Sequence, residues 1–297
     1  MKKSSSGGVL SHRTQKGKAI SASEGLVGYA DFDTRPLERV GELVEVVPGM
    51  VAAQHSGEGK ANQYYLRGMN LDHGADFSAY IEGMPINMRA HAHGQGYLDS
   101  NFLMPEVIST VQYAQGPYNA DCGDFSTAGT MPISIYDRLD RPFIEASYGS
   151  DHFQRLVSAG SMDLGESHLL AAVEVLRDDG LWQLASKVRK NNVLLKFSGQ
   201  AGSYDTRLLM SYYDNEWRST DQVPERLVSS NLIDRFGFID PTLGGDSSRA
   251  TLIAGLDGEN LGASMYASRY KLRLFNNFTY FADDPLNGDQ SEQLDKR

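Results

Sequence analysis

Cysteine occurs once in the 297 residues, at Cys122. A single thiol excludes an intramolecular disulfide framework and a zinc site of several thiolates, and its plain reading is a small buried or half-exposed side chain. Long hydrophobic runs are missing too. No apolar stretch approaches the about 18 residues that a membrane-crossing helix needs, although 40% of the chain is apolar, enough for a packed core. That absence has no bearing on a transmembrane barrel, whose strands alternate apolar and polar positions. Positive charge is in deficit: 28 Lys and Arg stand against 38 Asp and Glu, a net charge of −10. Nucleic acid is therefore not expected as a partner, since phosphate binding needs a basic face. An acidic balance suits cationic or metal-bearing ligands, or simply a solvated surface.

The start, Met-Lys-Lys-Ser-Ser-Ser-Gly-Gly, has the charged opening of an export signal without its apolar middle. Residues 1–35 are expected to be a flexible N-terminal extension, with basic side chains at Lys2, Lys3, Arg13, Lys16 and Lys18 and many Ser and Gly. From Pro36 the texture changes. Leu37, Val40, Leu43, Val44 and Val47 recur at helical spacing behind a first-turn proline, which predicts a short amphipathic helix over 36–47 ended by Pro48-Gly49. Short β-like runs follow at 50–54, 63–67 and 78–87, with Glu82-Gly83 placed as a tight hairpin turn. Pro105 to Ile108 reads as a helical turn leading into a strand over 110–115, and Pro132 to Tyr136 as a closing strand.

After Arg141 come strands of about ten residues. In 204–214, Tyr204, Thr206, Leu208, Met210 and Tyr212 share one face, with Asp205, Arg207 and Ser211 on the other. Leu169, Ala171, Val173 and Val175 lie opposite His168 and Glu174, and Val193, Leu195 and Phe197 lie opposite Lys196 and Ser198. Short turns (163–167, 199–203, 257–262) alternate with long polar ones (178–191, 215–246). Alternating loop length is the habit of membrane barrels, short on the inner side and long outside. The stretch 141–297 holds roughly seven or eight strands, against about 22 in plugged transporters, so an incomplete barrel and a truncated chain are expected.

Four glycine-punctuated segments carry a resemblance: Val44-Glu45-Val46-Val47-Pro48-Gly49-Met50, Tyr65-Leu66-Arg67-Gly68-Met69-Asn70, Tyr80 to Asn87 around Gly83, and Val111 to Tyr118 around Gly116-Pro117. They resemble the plug domain of TonB-dependent outer-membrane receptors. The resemblance implies an α+β plug domain over 36–140, then antiparallel β-strands of an incomplete transmembrane β-barrel over 141–297. It also implies a transport receptor of the cell outer membrane rather than an enzyme. The expected cargo is an external small-molecule ligand, most often an iron-siderophore, with other metal chelates, cobalamin or glycans as further possibilities. The expected partners are a TonB-type periplasmic energy-coupling protein and outer-membrane lipid. Arg67, Gly68, Gly83, Gly116 and Pro117 fall at structural or gating positions of the plug, Arg67 being expected to pair with carboxylates across the plug–barrel interface. The chain departs from the family pattern at Gln115, where a basic residue is usual, and around Thr130-Met131-Pro132. It also lacks a clear coupling box, for which Ala19-Ile20-Ser21-Ala22 is a poor match.

The sharpest local motif is Met88-Arg89-Ala90-His91-Ala92-His93-Gly94-Gln95-Gly96-Tyr97. On an extended strand a His-x-His pair points both rings to one side, and imidazole nitrogen suits Zn, Cu, Ni or Fe. His55, His73, Asp72, Asp76 and Asp99 are the candidates to complete such a set. Arg89, His91, His93, Gln95 and Tyr97 are read as the ligand-binding residues, offering donors and a stacking face. No residue is assigned to catalysis, to a resident metal or to a cofactor. The alternatives are a soluble metal-dependent enzyme built on His91 and His93, and a plug that binds or signals alone. Ser56-Gly57-Glu58-Gly59-Lys60-Ala61 is not a phosphate loop, because Gln54 stands where glycine is required and Ala61 where Ser or Thr is. No Gly-x-Ser-x-Gly elbow occurs.

Overall fold

The computed structural model describes residues 23–31, 35, 37, 39, 41–55 and 57–297. Residues 1–22 of the extension predicted over 1–35, with Ala19 to Ala22, lie outside them. Eight strands build the first half: β1 (Glu24–Gly28), β2 (Met50–Ala53), β3 (Gln63–Leu66), β4 (Met69–Asn70), β5 (Phe77–Ile81), β6 (Met84–Pro85), β7 (Ile108–Gln115) and β8 (Gly129–Ile135). They form a five-stranded sheet in the order β1-β7-β8-β5-β6 and a three-stranded sheet β2-β3-β4. Among the described residues only β5 and β8 run parallel. β5 is buried along nearly its whole length (Phe77, Ser78, Ala79 and Ile81), as expected of a strand flanked on both sides.

Two elements differ from the sequence reading. The helix predicted over 36–47 is a single 3-10 turn, Glu42–Val46. Leu43, Val44, Val46 and Val47 are all buried, which spreads the apolar side chains around the turn instead of along one helical stripe. The β-branched valines resist helix, and Gly41 ahead of the turn offers no side-chain cap. Residues 36, 38 and 40 lie outside the described set. The second difference is β1, inside the stretch read as a flexible extension, which pairs antiparallel with β7 from Glu24↔Ala114 to Gly28↔Thr110. Five residues with glycine at both Gly25 and Gly28 carry too little alternation to be read as a strand.

The second half is one antiparallel meander: β9 (Phe143–Tyr148), β10 (Gln154–Leu164), β11 (Ser167–Asp178), β12 (Val188–Ala201), β13 (Tyr204–Arg218), β14 (Gly244–Asp257), β15 (Gly262–Asn276) and β16 (Ser291–Lys296). Each strand pairs with its chain neighbours, and among the described residues β9 and β16 are left as the edges of an unclosed sheet. Burial alternates as the sequence predicts. Ala172, Leu194, Leu209 and Tyr213 face inward, while Val173, Val175, Val193, Leu208, Met210 and Tyr212 are exposed on the other face. The inward residues join Val44, Leu71, Phe77, Val107 and Met131 in one hydrophobic core, so the first half is seated against the inner face of the meander.

Because the strands alternate in direction, the loops 179–187, 219–243 and 277–290 lie together at one end, and the short turns 165–166, 202–203 and 258–261 at the other. The two longest loops are tied together by Asn277 N donating to Asp221 Oδ2 at 2.6 Å and by Tyr280 Oη donating to Gln222 O at 2.8 Å.

Candidate ligand-binding site

The loop 88–97 is closed at its base by Met88 N donating to Tyr97 O at 3.0 Å and Gly96 N donating to Met88 O at 2.9 Å. Asn87 fixes its direction. Its Nδ2 faces Gly74 O, Phe77 O and Gly96 O at 2.9–3.1 Å, and its Oδ1 accepts from Ala79 N at 2.8 Å. Gly96 has φ +73°, and a Cβ there would come within 2.9 Å of the Ala75 backbone. The segment is a turn-containing loop and not the extended strand that would point both rings to one side, and the two histidines consequently part. His91 lies flat on Tyr97, with centroids 3.9 Å and planes 4° apart, and meets Tyr270 edge-on at 5.6 Å. His93 turns to His73, ring centroids 4.6 Å apart, and its backbone N–H donates to His91 Nδ1 at 3.1 Å.

Tyr97 is fully buried, its hydroxyl accepting from Ala61 N at 2.8 Å. Its ring face is covered by His91 and is not open to a ligand, which corrects the stacking role expected of it. Arg89 and Gln95 are exposed, with Arg89 Nε 3.6 Å from Asp124. His55 stands 5.3 Å from His73. Asp76 and Asp99 are engaged elsewhere, by Thr127 and by Asn101 and Tyr270. Among the described residues no three His, Cys, Asp or Glu side chains converge at metal distance. The metalloenzyme reading of His91 and His93 therefore has no geometry behind it.

His73 and His91 are buried and His55 and His93 half-buried, and their electrostatics follow. Burial lowers His55 and His91 to about 4 and His93 to about 3, with the Lys60 charge lowering His55 and His93 further. His73 moves the same way, again chiefly by burial. All four imidazoles are neutral at pH 7. Lys60 is itself buried, with no hydrogen-bond partner for Nζ, and desolvation lowers it to about 8.

The site lies toward the long-loop end of the meander. His93 Nδ1 donates to Gln293 Oε1 at 2.8 Å and Ala92 N to Asp295 Oδ2 at 3.0 Å, which ties the loop to β16 just beyond the 277–290 loop. Ala61 and Tyr97 pack with Trp217, at the end of β13 where the 219–243 loop begins. Sequence reading missed Lys60, Trp217 and Gln293. The glycines beside Lys60 were the available signal, since a Cβ at Gly59 would sit 2.0 Å from the Trp217 ring.

The gating positions divide. Glu82-Gly83 forms the predicted hairpin turn, with φ +48° and +84°. Gly116 also has positive φ, +93°, where a Cβ would strike the Tyr118 ring at 2.5 Å. Arg67 is not the interface arginine expected: Arg67-Gly68 is an exposed turn between β3 and β4. The positive φ at both residues makes a turn there, and a turn at the free edge of the small sheet points to solvent. The cross-interface pairs have the opposite polarity. Lys196 Nζ on β12 holds Glu82 Oε1 at 2.8 Å, Asp137 Oδ1 at 3.0 Å and Ile135 O at 2.7 Å. Arg155 on β10 bridges Glu106 at 2.5 Å and Glu174 at 2.6 Å.

A small mixed domain seated on the inner face of an antiparallel meander, with a polar loop at the long-loop end, matches known proteins. The family described as "TonB-dependent Receptor Plug Domain" matches residues 16–130. Residues 16–130 thus match a receptor plug domain, and the antiparallel meander follows it in the chain. The fold agrees with the siderophore receptor PiuA of Acinetobacter baumannii (TM-score 0.64, 13% identity, 85% of this chain and 37% of that one). It agrees likewise with the ferric-catecholate import receptor Fiu of E. coli K12 in its open form (TM-score 0.68, 14% identity, 92% and 44%). The copper transporter OprC gives 0.65 at 15% identity, 93% and 41%. The chain spans less than half the length of each of these proteins. The matched family is one of receptors, not of enzymes.

Proposed function

We propose that the protein serves active uptake of a scarce nutrient across the outer membrane, its cargo an iron-siderophore or another metal chelate. The plug blocks the path, the ligand docks at the 88–97 loop beneath the long loops, and a TonB-type periplasmic partner draws the plug aside. The observation that carries this reading is the position of the loop: on the plug, tied to β16 by His93 and Ala92, at the end where the long loops gather. Arg89 and Gln95 are exposed there as hydrogen-bond donors, and His93 is half-buried behind them. The similarity to receptors whose names specify siderophore, ferric catecholate and copper supports a metal-bearing cargo.

Hydrogen exchange on the receptor in detergent tests the site. Adding a panel of ferric siderophores is expected to slow exchange of the 88–97 amides for the member that binds. A siderophore that binds tightly while leaving 88–97 unchanged would refute the assignment.

A further inference from the structure

Two ring nitrogens in this cluster face each other at 3.2 Å. His73 Nδ1 lies 3.0 Å from both Ala61 O and Asn62 O. Carbonyl oxygens only accept, so Nδ1 carries the ring proton and Nε2 of the neutral ring is a bare lone pair. His93 Nδ1 donates in the same way to Gln293 Oε1 at 2.8 Å. The two Nε2 atoms then stand 3.2 Å apart. Lone pairs at that distance repel, and a shared cation removes the repulsion. Two imidazole nitrogens at about 2.0–2.1 Å from one tetrahedral ion are about 3.3 Å apart. A metal-binding histidine also typically donates its second N–H to a carbonyl or carboxylate, which fixes the tautomer, and here both rings are already tied off to oxygen.

We infer that His73 Nε2 and His93 Nε2 form a two-imidazole site for a divalent first-row transition ion of the Cu2+, Ni2+ or Zn2+ kind. The donor set fits those ions, since imidazole suits them and no thiolate or carboxylate cage is present to select others. Asp72 Oδ1, on an exposed side chain, lies 3.7 Å from His73 Nε2 and opens the site toward solvent. The remaining coordination positions belong to water or to a chelator that arrives with the ion.

The inference rests on the reading of this loop as the ligand site, and its test uses bare ions so that the two can fail separately. The receptor in detergent is titrated with Cu2+ at neutral pH, by calorimetry and by electron paramagnetic resonance. The expected result is one Cu2+ per chain with two imidazole nitrogens in its hyperfine pattern. His73→Ala and His93→Ala should each weaken it by roughly ten-fold or more, and His152→Ala, an exposed histidine paired with Asp179 in another part of the molecule, should leave it unchanged. If His73→Ala does not fold, His93→Gln, on the half-buried side of the loop, gives the same readout. Failure of the folded receptor to bind, or binding that survives the His93 substitution, would overturn the site. Failure to bind would also mean that Gln293 presents its amide nitrogen to His93, whose Nε2–H then closes a hydrogen bond on His73.

Discussion

Gly59 and Trp217 show how a single residue can be read correctly for what it is not. The Gly57-Glu58-Gly59-Lys60 run fails as a phosphate loop on sequence alone. Its purpose, to let an indole lie on the backbone, needs a partner in another domain that no local pattern announces. Gly59→Ala would place a Cβ 2.0 Å from a Trp217 ring that is itself buried. Overpacking of this kind costs about 1–3 kcal/mol. The denaturation midpoint should fall accordingly, and Gly59→Ala with Trp217→Leu should cost less than the two single changes summed, because the shorter side chain yields the space. The histidines make a second prediction at this scale. His55, His91 and His93 are lowered in the fold to about 4, 4 and 3 from the 6.5 of a free imidazole. Between those values and 6.5 the unfolded chain binds more protons than the folded one, so stability falls as pH drops through that window. The melting temperature is expected to decline from pH 6.5 toward 4, less steeply in His93→Gln. A slope unchanged by that substitution would show that His93 titrates normally.

At the scale of elements, legibility followed the length of the pattern. The strands over 167–218 were visible because period-two alternation persists for a dozen residues or more, long enough to place Val173 and Val175 outside and Glu174 inside. β1 was invisible because it is short and glycine-rich, and the 36–47 segment misled because valines at near-helical spacing are also what a buried irregular turn needs. Inward Lys196 was legible as the polar side of β12; that it spans Glu82, Asp137 and Ile135 O was not, since those groups come from the plug. The contact can be tested as a latch. Lys196→Met leaves Glu82 in a buried site with only Arg207, 3.7 Å away, as a counter-charge. Removing one partner of a buried pair costs about 3–5 kcal/mol, whereas replacing both is often nearly neutral. Unfolding of Lys196→Met, Glu82→Gln and the double variant in urea should show that non-additivity. Additive losses would mean that the pair is solvated.

At the scale of the whole molecule, plug and sheet share one core, and the meander sorts the loops into a long end carrying the histidine cluster and a short end carrying Glu82 and Lys196. Loop-length alternation made this polarity readable before any coordinates, while the order of the plug strands, with β8 between β5 and β7, was not, because nonlocal pairing leaves no periodic trace. Under the proposed function, the histidine end would face the cell exterior, with the exposed apolar strand face in lipid. The most direct measurement is impermeant maleimide labelling of intact cells that express the receptor with the buried Cys122 changed to Ser. Leu232→Cys, exposed in the 219–243 loop, is expected to label on whole cells, and Glu166→Cys, exposed in the 165–166 turn, only after the outer membrane is opened. Labelling of Glu166→Cys from outside with Leu232→Cys protected would contradict the account.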